Sequence, residues 1–534
     1  MKRGRLAQIL AAVALASSVG AFSTLAARSA WVNDDAFITF RYSKNLANGH
    51  GFVWNPQDGK RVEGSSSLAW TALNALALRG GSDMLAFSHR LGWLAGASTL
   101  VLLALALRVL PALGLAGAVV AGAFLALQRQ WITWSVSGME TSAAAMVTFA
   151  ATLILLRETR PPQRNGFTSG ALFFLGSLLR PETPLLHLAA LAGIAAGADA
   201  ARPWRALRNS GIVHAGGLLV LTLVRLLYFG QPLPNTFYAK AGAPQVERGL
   251  EYLGQCVVQN HAWVGLLLVL VSAPLAWRSA RAASLALILQ IAMWSAWIVV
   301  LGGGRWEFRF FVSVLPACAL LLGLSLSLVA GRGALPSVPR RGLAALAAAA
   351  LLGSQALVLR TPFRAFDDVL SKRQLVESVD YMTLEASLLA PYLTADERVC
   401  TGWAGAFPFF TGVWHYDPWG LNEPSIAHRP RNDRAVVFHQ RHATWQDVVD
   451  QRVQFVDVFN HFLFPRPFEA SRARNVTPWT QPGIPVYSVL LPQGHYWLFA
   501  STLRRDEIDG WLTQRGLRLH SVVALPGGWP LLGQ

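Results

Sequence analysis

Two adjacent aspartates, Asp34 and Asp35, are the residues of this chain best placed for acid–base chemistry. Asn33 predicts a helix N-cap and Asn48-Gly49 predicts the end of that helix, so both carboxylates fall in its first turn, where the helix dipole favours anions. Two carboxylates held together at a lipid–water boundary repel each other, so either one has a raised pKa or both are held charged by a metal or by Arg41. Either state suits a general base for a hydroxyl group. The alternative is that both residues only cap the helix.

Further polar residues stand at the ends of apolar segments. They are Arg41 and Tyr42 on the same predicted amphipathic helix, Glu63 in KRVEGSSSLAW, Glu140 in SGME, Arg180 and Glu182 in LLRPE, Asn235, Tyr238 and Lys240 in QPLPNTFYAK, and Arg305, Glu307 and Arg309 in GGGRWEFRFF. Arginine suits a phosphate group because its planar fork can bind two oxygens. Interfacial anchors, polar turns and structural Arg–Glu pairs are the competing explanations.

The elements that carry these residues are apolar. The chain is 53% hydrophobic and only 14% charged, whereas soluble proteins carry about a quarter charged residues. Stretches near the length of about 17–25 residues that a spanning helix needs lie at 7–27, 85–107, 112–128, 140–156, 166–180, 184–199, 211–229, 260–277, 282–301, 310–330 and 341–359. The fifth and sixth are short and are joined through Pro181 and Pro184. The pattern predicts a polytopic α-helical membrane protein with about 11 transmembrane helices.

The arginines between these stretches predict the orientation. With the N-terminus in the cytoplasm, the segments on that side carry Lys2, Arg3 and Arg5; Arg108; Arg157, Arg160 and Arg164; Arg202, Arg205 and Arg208; Arg278 and Arg281; and Arg332, Arg340 and Arg341. This alternation agrees with the positive-inside rule of the bacterial inner membrane. It puts the candidate residues above on the periplasmic side. The first 30 residues could instead be a signal peptide, which would leave the aspartates outside as well.

The composition also predicts two domains. Residues 1–360 form the membrane domain, whose first outer loop is 28–84, and residues 361–534 form a periplasmic α/β domain. Within the second domain, Val453–Val458 and Val486–Leu491 predict strands, and Phe366–Leu389 predicts a helix.

The basic residues do not predict a nucleic-acid partner. The net charge is +17, but the lysines and arginines occur in short runs between apolar segments, as orientation signals do. The three cysteines have no metal-ligand spacing, which argues against a zinc site and a disulfide framework.

The segment DDAFITFRYSKNLANGHGFVWNP…RVEG resembles the first-loop signature of a family of GT-C-type membrane glycosyltransferases. The family includes the terminal β-(1→2)-arabinofuranosyltransferases of actinobacterial cell walls and relatives labelled flagellar motor control proteins. SGMET, LLRPE, FGQPLPNTFYAK, the RF-containing turn and GLNEPSIA (Gly420–Ala427) are similar to later family blocks in the same order. Two sites depart from the family pattern. Ser65-Ser66-Ser67 replaces an aromatic–Thr/Ser–Asn/Pro run, and Gly302-Gly303-Gly304-Arg305 replaces a run with an acidic residue.

The resemblance implies a GT-C fold, a polyprenyl-phosphate sugar donor, and catalytic acidic residues that match Asp34 and Asp35. The leading hypothesis is transfer of a sugar, with arabinofuranose as the candidate, to an envelope glycan or lipid acceptor. Arg305, Arg309 and Lys240 would stabilise the leaving phosphate. The substrate-binding candidates are Arg41, Tyr42, Glu63, Glu140, Asn235 and Tyr238. The sequence requires no cofactor, although the paired carboxylates leave room for a divalent metal.

Two other classes stay open. A non-catalytic envelope or flagellar assembly factor could keep the GT-C fold, and the missing acidic residue before Arg305 leaves room for it. A transporter is the second alternative. It is disfavoured because the charges lie at one membrane edge and no inverted repeat is evident.

Overall fold

The computed structural model describes residues 2–160, 165–198, 203–331, 340–431, 439–469 and 476–526, without the side chains of residues 2–8. Some arginines used for the orientation therefore lie outside the described residues. These are Arg164, Arg202 and Arg332, together with the side chains of Lys2, Arg3 and Arg5.

The first two thirds of the chain form a helical bundle. Its helices are α1 (Lys2–Arg28), α2 (Asp34–Ala47), α3 (Leu68–Arg79), α4 (Met84–Leu105), α5 (Leu115–Ala126), α6 (Arg129–Ser135), α7 (Thr141–Glu158), α8 (Phe167–Leu179), α9 (Thr183–Gly197), α10 (Trp204–Phe229), α11 (Asn235–Lys240), α12 (Val246–Gln259), α13 (Ala262–Ser279), α14 (Arg281–Leu301), α15 (Leu315–Ala330) and α16 (Arg340–Arg360). Short 3-10 helices follow α4 at Ala106–Arg108 and precede α15 at Arg309–Val314.

In the described part of the chain, eight helices are long and apolar enough to cross a membrane. The count is nine if α5 and α6, which meet at an angle of 60°, form one broken span and not a re-entrant loop. Two shorter apolar helices, α8 and α9, complete the set. A polytopic helical membrane protein is confirmed, with eight or nine candidate spans among the described residues instead of the predicted count of about 11. Each predicted stretch overlaps a helix, but α8 and α9 are shorter than a span, and 112–128 covers α5 without α6.

The bend after α5 places a cation against the end of another helix. Arg129, the first residue of α6, donates hydrogen bonds to the carbonyls of Val358 and Thr361 at the end of α16. A helix C-terminus favours such a charge. The segment after α6 then runs beside the entrance to α2, where the Trp31 N–H donates to the Val136 carbonyl over 3.1 Å.

The C-terminal part is a mixed α/β domain, as predicted. Its strands are β1 (Arg398–Cys400), β2 (Trp414–Tyr416), β3 (Phe455–Val456), β4 (Leu463–Phe464), β5 (Pro485–Leu490), β6 (Tyr496–Ala500) and β7 (Leu519–Ala524), and its helices are α17 (Lys372–Leu389), α18 (Ala406–Thr411), α19 (Pro424–Ala427), α20 (Trp445–Asp450) and α21 (Arg505–Gln514). The strand order is β2-β1-β3-β6-β5-β7, with β4 paired to β6. The strands β2, β1 and β3 are parallel, so the loops that follow them meet at one edge of the sheet.

The C-terminal domain packs directly on the helical bundle. Leu375, Val379 and Met382 of α17 belong to the same hydrophobic core as the membrane helices. The loops at the carboxyl edge of the parallel strands lie against α2. The packing therefore places the first loop between the two parts of the molecule.

The sequence predicts α2 as a short amphipathic helix. The predicted limits of α2 agree with the structure, but most of its residues are buried and α18 and α3 cover it. Asn33 occupies the N-cap position without a side-chain capping bond. Its amide nitrogen instead lies 3.2 Å from the sulfur of Met139.

Candidate active site

Asp34 is a buried carboxylate that joins the first loop to the C-terminal domain. Its two oxygens accept the backbone N–H groups of Gly405, over 3.1 Å, and Ala406, over 2.8 Å, at the start of α18. A Cβ atom on Gly405 would lie only 2.4 Å from the carboxyl carbon of Asp34, so glycine permits the close approach. Burial raises the pKa of Asp34 to about 7, the Ala406 N–H opposes that rise, and the charge of Asp35 adds to it.

Asp35 points in a different direction and reaches a set of charged side chains. Its carboxylate lies 3.2 Å from the guanidinium of Arg309, and the side chain is 24% exposed. Arg309 in turn lies 4.0 Å from Glu140, which pairs with Arg180 over 2.9 Å. Successive residues of a helix point about 100° apart, which explains why neighbouring aspartates meet such different surroundings.

Lys240 and Arg305 belong to the same group of charges. Surrounding protein lowers the pKa of Lys240, the charge of Asp35 opposes that shift, and the charges of Arg309 and Arg180 add to it. Lys240 nevertheless keeps an exposed surface. Arg305 lies 3.2 Å from Asp368 and feels the charge of Asp35. We define the charged cluster as Asp35, Glu140, Arg180, Glu182, Lys240, Arg305 and Arg309.

Several polar atoms of the charged cluster have no hydrogen-bond partner although they are buried. They include Nε of Arg180, Nε of Arg309 and Oε2 of Glu182. Buried polar groups of folded proteins are normally paired, by protein, water or ligand. The free Nε–H donors of Arg180 and Arg309 can therefore serve a ligand that carries several acceptor oxygens.

The predicted residues Arg41 and Tyr42 lie outside this cluster, in the interface with the C-terminal domain. Arg41 donates to the carbonyls of Trp54, over 3.0 Å, and Val413, over 2.7 Å. The hydroxyl of Tyr42 donates to the amide oxygen of Asn422 over 3.0 Å. These contacts give both side chains protein partners, and their role in substrate binding stays a prediction.

Glu63, Asn235 and Tyr238 also clamp parts of the molecule together. Glu63 forms a two-fold ion pair with Arg225 of α10, with both N–O distances at 2.8 Å. Asn235 accepts no bond through its side-chain oxygen, but its amide group donates to the carbonyls of Gly420 and Leu421 over 2.8 and 2.9 Å. The ring of Tyr238 lies 4.4 Å from that of His428. Asn235 thus holds Gly420 and Leu421 against the bundle, whereas Glu63 ties the first loop to α10.

The predicted site residues thus separate into two groups. Asp35, Glu140, Lys240, Arg305 and Arg309 converge in the charged cluster, whereas the others tie the first loop and α11 to neighbouring elements. Within the described residues, no group of three or more His, Cys, Asp or Glu side chains could hold a metal ion.

The comparisons with known proteins agree with this architecture. A family described as a domain of unknown function, DUF8728, matches residues 372–501, which contain α17 and the strands β1 to β6. The terminal β-(1→2)-arabinofuranosyltransferase of Mycobacterium tuberculosis is 30% identical over 274 residues. That alignment covers 45% of this chain and 39% of the relative, so the chain matches less than half of the relative's length.

Two solved structures share the fold. ArnT from Cupriavidus metallidurans, in the apo state, superposes with a TM-score of 0.50 at 14% identity, covering 76% of this chain and 85% of ArnT. The oligosaccharyltransferase of Archaeoglobus fulgidus superposes with a TM-score of 0.52 at 12% identity, covering 93% of this chain and 74% of its own. The chain has the GT-C fold. ArnT has also been solved bound to undecaprenyl phosphate.

The GT-C fold of this chain brings one residue to the charged cluster that sequence reasoning did not single out. The ring of His439 lies against Arg305, with Nδ1 2.9 Å from a guanidinium nitrogen. His439 follows no recognisable motif, and it reaches the cluster only because the sheet is docked on the bundle. Arg180 and Glu182 lie in the LLRPE block, which the sequence analysis singled out without a catalytic or binding role for either residue.

Proposed function

We propose that this chain is a glycosyltransferase that moves a sugar from a polyprenyl-phosphate donor to a glycan or lipid acceptor of the cell envelope. One observation carries the proposal: Asp35 is a partly exposed carboxylate beside Arg309, within a cluster of cations. This reaction needs a base for the acceptor hydroxyl and positive charge for the departing phosphate in one place. The GT-C fold and the resemblance of the first loop support the same reaction.

The residues divide the chemistry as follows. The acceptor oxygen attacks the anomeric carbon of the donor sugar, and its proton passes to Asp35. The bond from that carbon to the phosphate oxygen breaks, and polyprenyl phosphate leaves with the electron pair. Arg309, Arg305 and Lys240 stabilise the negative charge that develops on this oxygen.

The contact between Asp35 and Arg309 fits this sequence of events. A donor phosphate competes for the guanidinium of Arg309, because arginine binds phosphate in the same two-pronged way as carboxylate. When the guanidinium turns to the phosphate, Asp35 loses its partner and can accept the hydroxyl proton. Donor binding would therefore prepare the base.

We assign the base to Asp35 and a structural part to Asp34. Both oxygens of Asp34 already accept backbone N–H groups, and its side chain is buried. This burial keeps Asp34 away from an acceptor hydroxyl, whereas Asp35 is 24% exposed. Asp34 instead fixes α2, and through α2 the position of Asp35.

The sugar and the side of the membrane complete the proposal. Arabinofuranose is the sugar to test first, because the first-loop block resembles arabinofuranosyltransferases and the relative from Mycobacterium tuberculosis carries that name. The arginine distribution supports a site on the periplasmic face of the inner membrane.

The decisive experiment measures sugar transfer by the purified protein in detergent from synthetic polyprenyl-phosphate sugars. Asp35→Asn keeps the size of the side chain but cannot accept a proton, so transfer should fall by about 10²–10⁴-fold. The exposed Asp396 supplies the matched control, and Asp396→Asn should transfer normally. Normal transfer by Asp35→Asn would refute the role of this carboxylate. Absence of transfer from every donor would favour the assembly factor.

A further inference from the structure

His439 is a titratable residue from the C-terminal domain that touches the charged cluster. Nη1 of Arg305 lies 2.9 Å from its Nδ1 and 3.1 Å from its Nε2. A guanidinium carries only donors, and a neutral imidazole has one unprotonated nitrogen, so that nitrogen, Nδ1 or Nε2 according to the tautomer, accepts from Arg305. Burial and the charges of Arg305 and Lys240 hold the pKa of His439 well below its usual value. The imidazole is therefore a neutral acceptor between cations.

The plane of this ring is set by the sheet. Trp419, in the loop after β2, stacks on His439 with ring centres 4.0 Å apart and an interplanar angle of 14°. Trp479 supports Trp419 edge-on at 5.1 Å, and Asp457 fixes Trp479 through a 2.9 Å hydrogen bond. The carboxylate of Asp417 also accepts the backbone N–H of Trp419 over 3.0 Å. The C-terminal domain thus supplies a rigid support for His439.

Arg305 has a second partner that would draw it elsewhere. Asp368 lies 3.2 Å from its Nε, and Asp368 is itself paired with Arg248. Without His439, the guanidinium could turn fully onto the Asp368 carboxylate. A carboxylate partner neutralises the charge of an arginine, whereas a neutral imidazole orients the guanidinium and leaves its charge available to a phosphate.

We propose that His439 is a positioning residue for the donor phosphate, which holds the Arg305 guanidinium in the charged cluster. This inference rests on the proposed function, because it concerns the same donor. It makes the C-terminal domain part of the donor site: a ring fixed by the sheet sets an arginine of the bundle. It also explains how Arg305 is oriented although Gly304 stands before it in place of the acidic residue of the family pattern.

Two substitutions of His439 distinguish a positioning role from a merely structural role. His439→Phe keeps an aromatic ring on Trp419 but removes the acceptor, and the KM for the donor should rise about tenfold with a smaller change in kcat. His439→Gln restores an acceptor oxygen and should return the KM to within about threefold. His442 touches the edge of the same tryptophan at 6.5 Å, so His442→Phe serves as the control and should leave the KM unchanged.

A double-mutant cycle decides whether His439 acts through Arg305. The effect of His439→Phe on the donor KM should disappear in an Arg305→Gln background, because the residue that it positions is gone. An equal effect in both backgrounds would overturn the proposal, as would an unchanged KM for His439→Phe. Melting temperatures of all variants identify any that fail to fold.

Direct binding distinguishes the two proposals. If the wild-type protein binds polyprenyl phosphate and transfers sugar while His439→Phe binds equally well, only the inference about His439 fails. If the wild-type protein neither binds polyprenyl phosphate nor transfers sugar, the proposed function fails and takes this inference with it.

Discussion

The carboxylate of Asp34 caps α18 through Gly405 and Ala406, which lie 371 and 372 positions further along the chain. Its neighbour Asp35 faces Arg309 instead. The adjacent pair thus joins two functions, since one carboxylate holds the C-terminal domain and the other faces the charged cluster. Substitution of Asp34 should consequently change stability, whereas substitution of Asp35 should change sugar transfer.

Asp34→Asn should flatten the pH dependence of stability. Burial raises the pKa of Asp34 from 3.8 to about 7. The folded state therefore holds this proton more tightly than the unfolded chain does. The resulting stabilisation is complete below about pH 4 and is lost as the pH rises to about 7. The melting temperature of the wild type in detergent should fall more steeply across that window than that of Asp34→Asn, and parallel curves would contradict the prediction. Asp396→Asn, the exposed control, should keep the wild-type slope.

Breaking the pair of Glu63 and Arg225 should destabilise the protein. Glu63→Gln would leave the buried guanidinium of Arg225 without a counter-charge, at a cost of about 3–5 kcal/mol. Replacing both residues by methionine should cost less, because no unpaired charge is then buried. Thermal unfolding in detergent measures the loss of stability in the single and in the double variant.

An exposed pair of α17 provides the control for that experiment. Arg373 and Glu377 are 2.8 Å apart, but their side chains are 87% and 59% exposed. Glu377→Gln should leave the melting temperature unchanged. If Glu63→Gln also left the melting temperature unchanged, the buried pair would contribute nothing to the attachment of the first loop.

Replacement of Arg309 even by lysine should weaken donor binding. Arg309→Lys keeps the charge but loses the planar fork, and Arg309→Ala loses both. Donor binding by the alanine variant should weaken by about 1.5–3 kcal/mol, the value of a hydrogen bond to a charged group. The lysine variant should fall between wild type and alanine. Titration with polyprenyl phosphate measures the change, with Arg373→Ala as the control. Unchanged affinity in both Arg309 variants would move the phosphate to Arg305 and Lys240.

Cysteine labelling in intact cells should show Lys60 outside and Arg278 inside. Both positions are exposed in the structure, and the arginine alternation puts them on opposite faces of the membrane. In a background without the native cysteines, a membrane-impermeant maleimide should label Lys60→Cys and spare Arg278→Cys until the cells are opened. The reverse pattern would invert the topology.

Local signals were sufficient to predict the spans and the limits of α2. An apolar stretch of membrane length, or Asn48-Gly49 after a helical pattern, acts over a few residues and is readable without the fold. The predicted stretch 112–128 contains α5, but it does not include α6, which bends away from α5 by 60°. Its angle could not be predicted, because the partner of Arg129 lies at the end of α16.

The roles of the site residues depended on distant contacts. Asp34 and Asp35 are adjacent in the sequence, and both were predicted to be catalytic. That Asp34 caps α18 while Asp35 faces the charged cluster became clear only from the position of α18. Arg41 resembled a ligand-binding residue for the same reason, since nothing near it in the chain shows that Val413 accepts its hydrogen bond. His439 carried no signal at all, because stacking on Trp419 depends on how the sheet folds.

The cap that Asp34 makes on α18 also sets an order of events during biosynthesis. At the usual rate of about 5–20 residues per second, roughly 20–75 s separate the synthesis of the aspartate from that of its partners. Through that interval Asp34 lacks the N–H groups of α18, and Arg41 lacks the carbonyl of Val413. A chain whose translation stops before Gly405 would insert its helices and still lack the cover of the first loop. Such a product should be a target for membrane proteases, so completion of the last third of the chain acts as the checkpoint for the whole molecule.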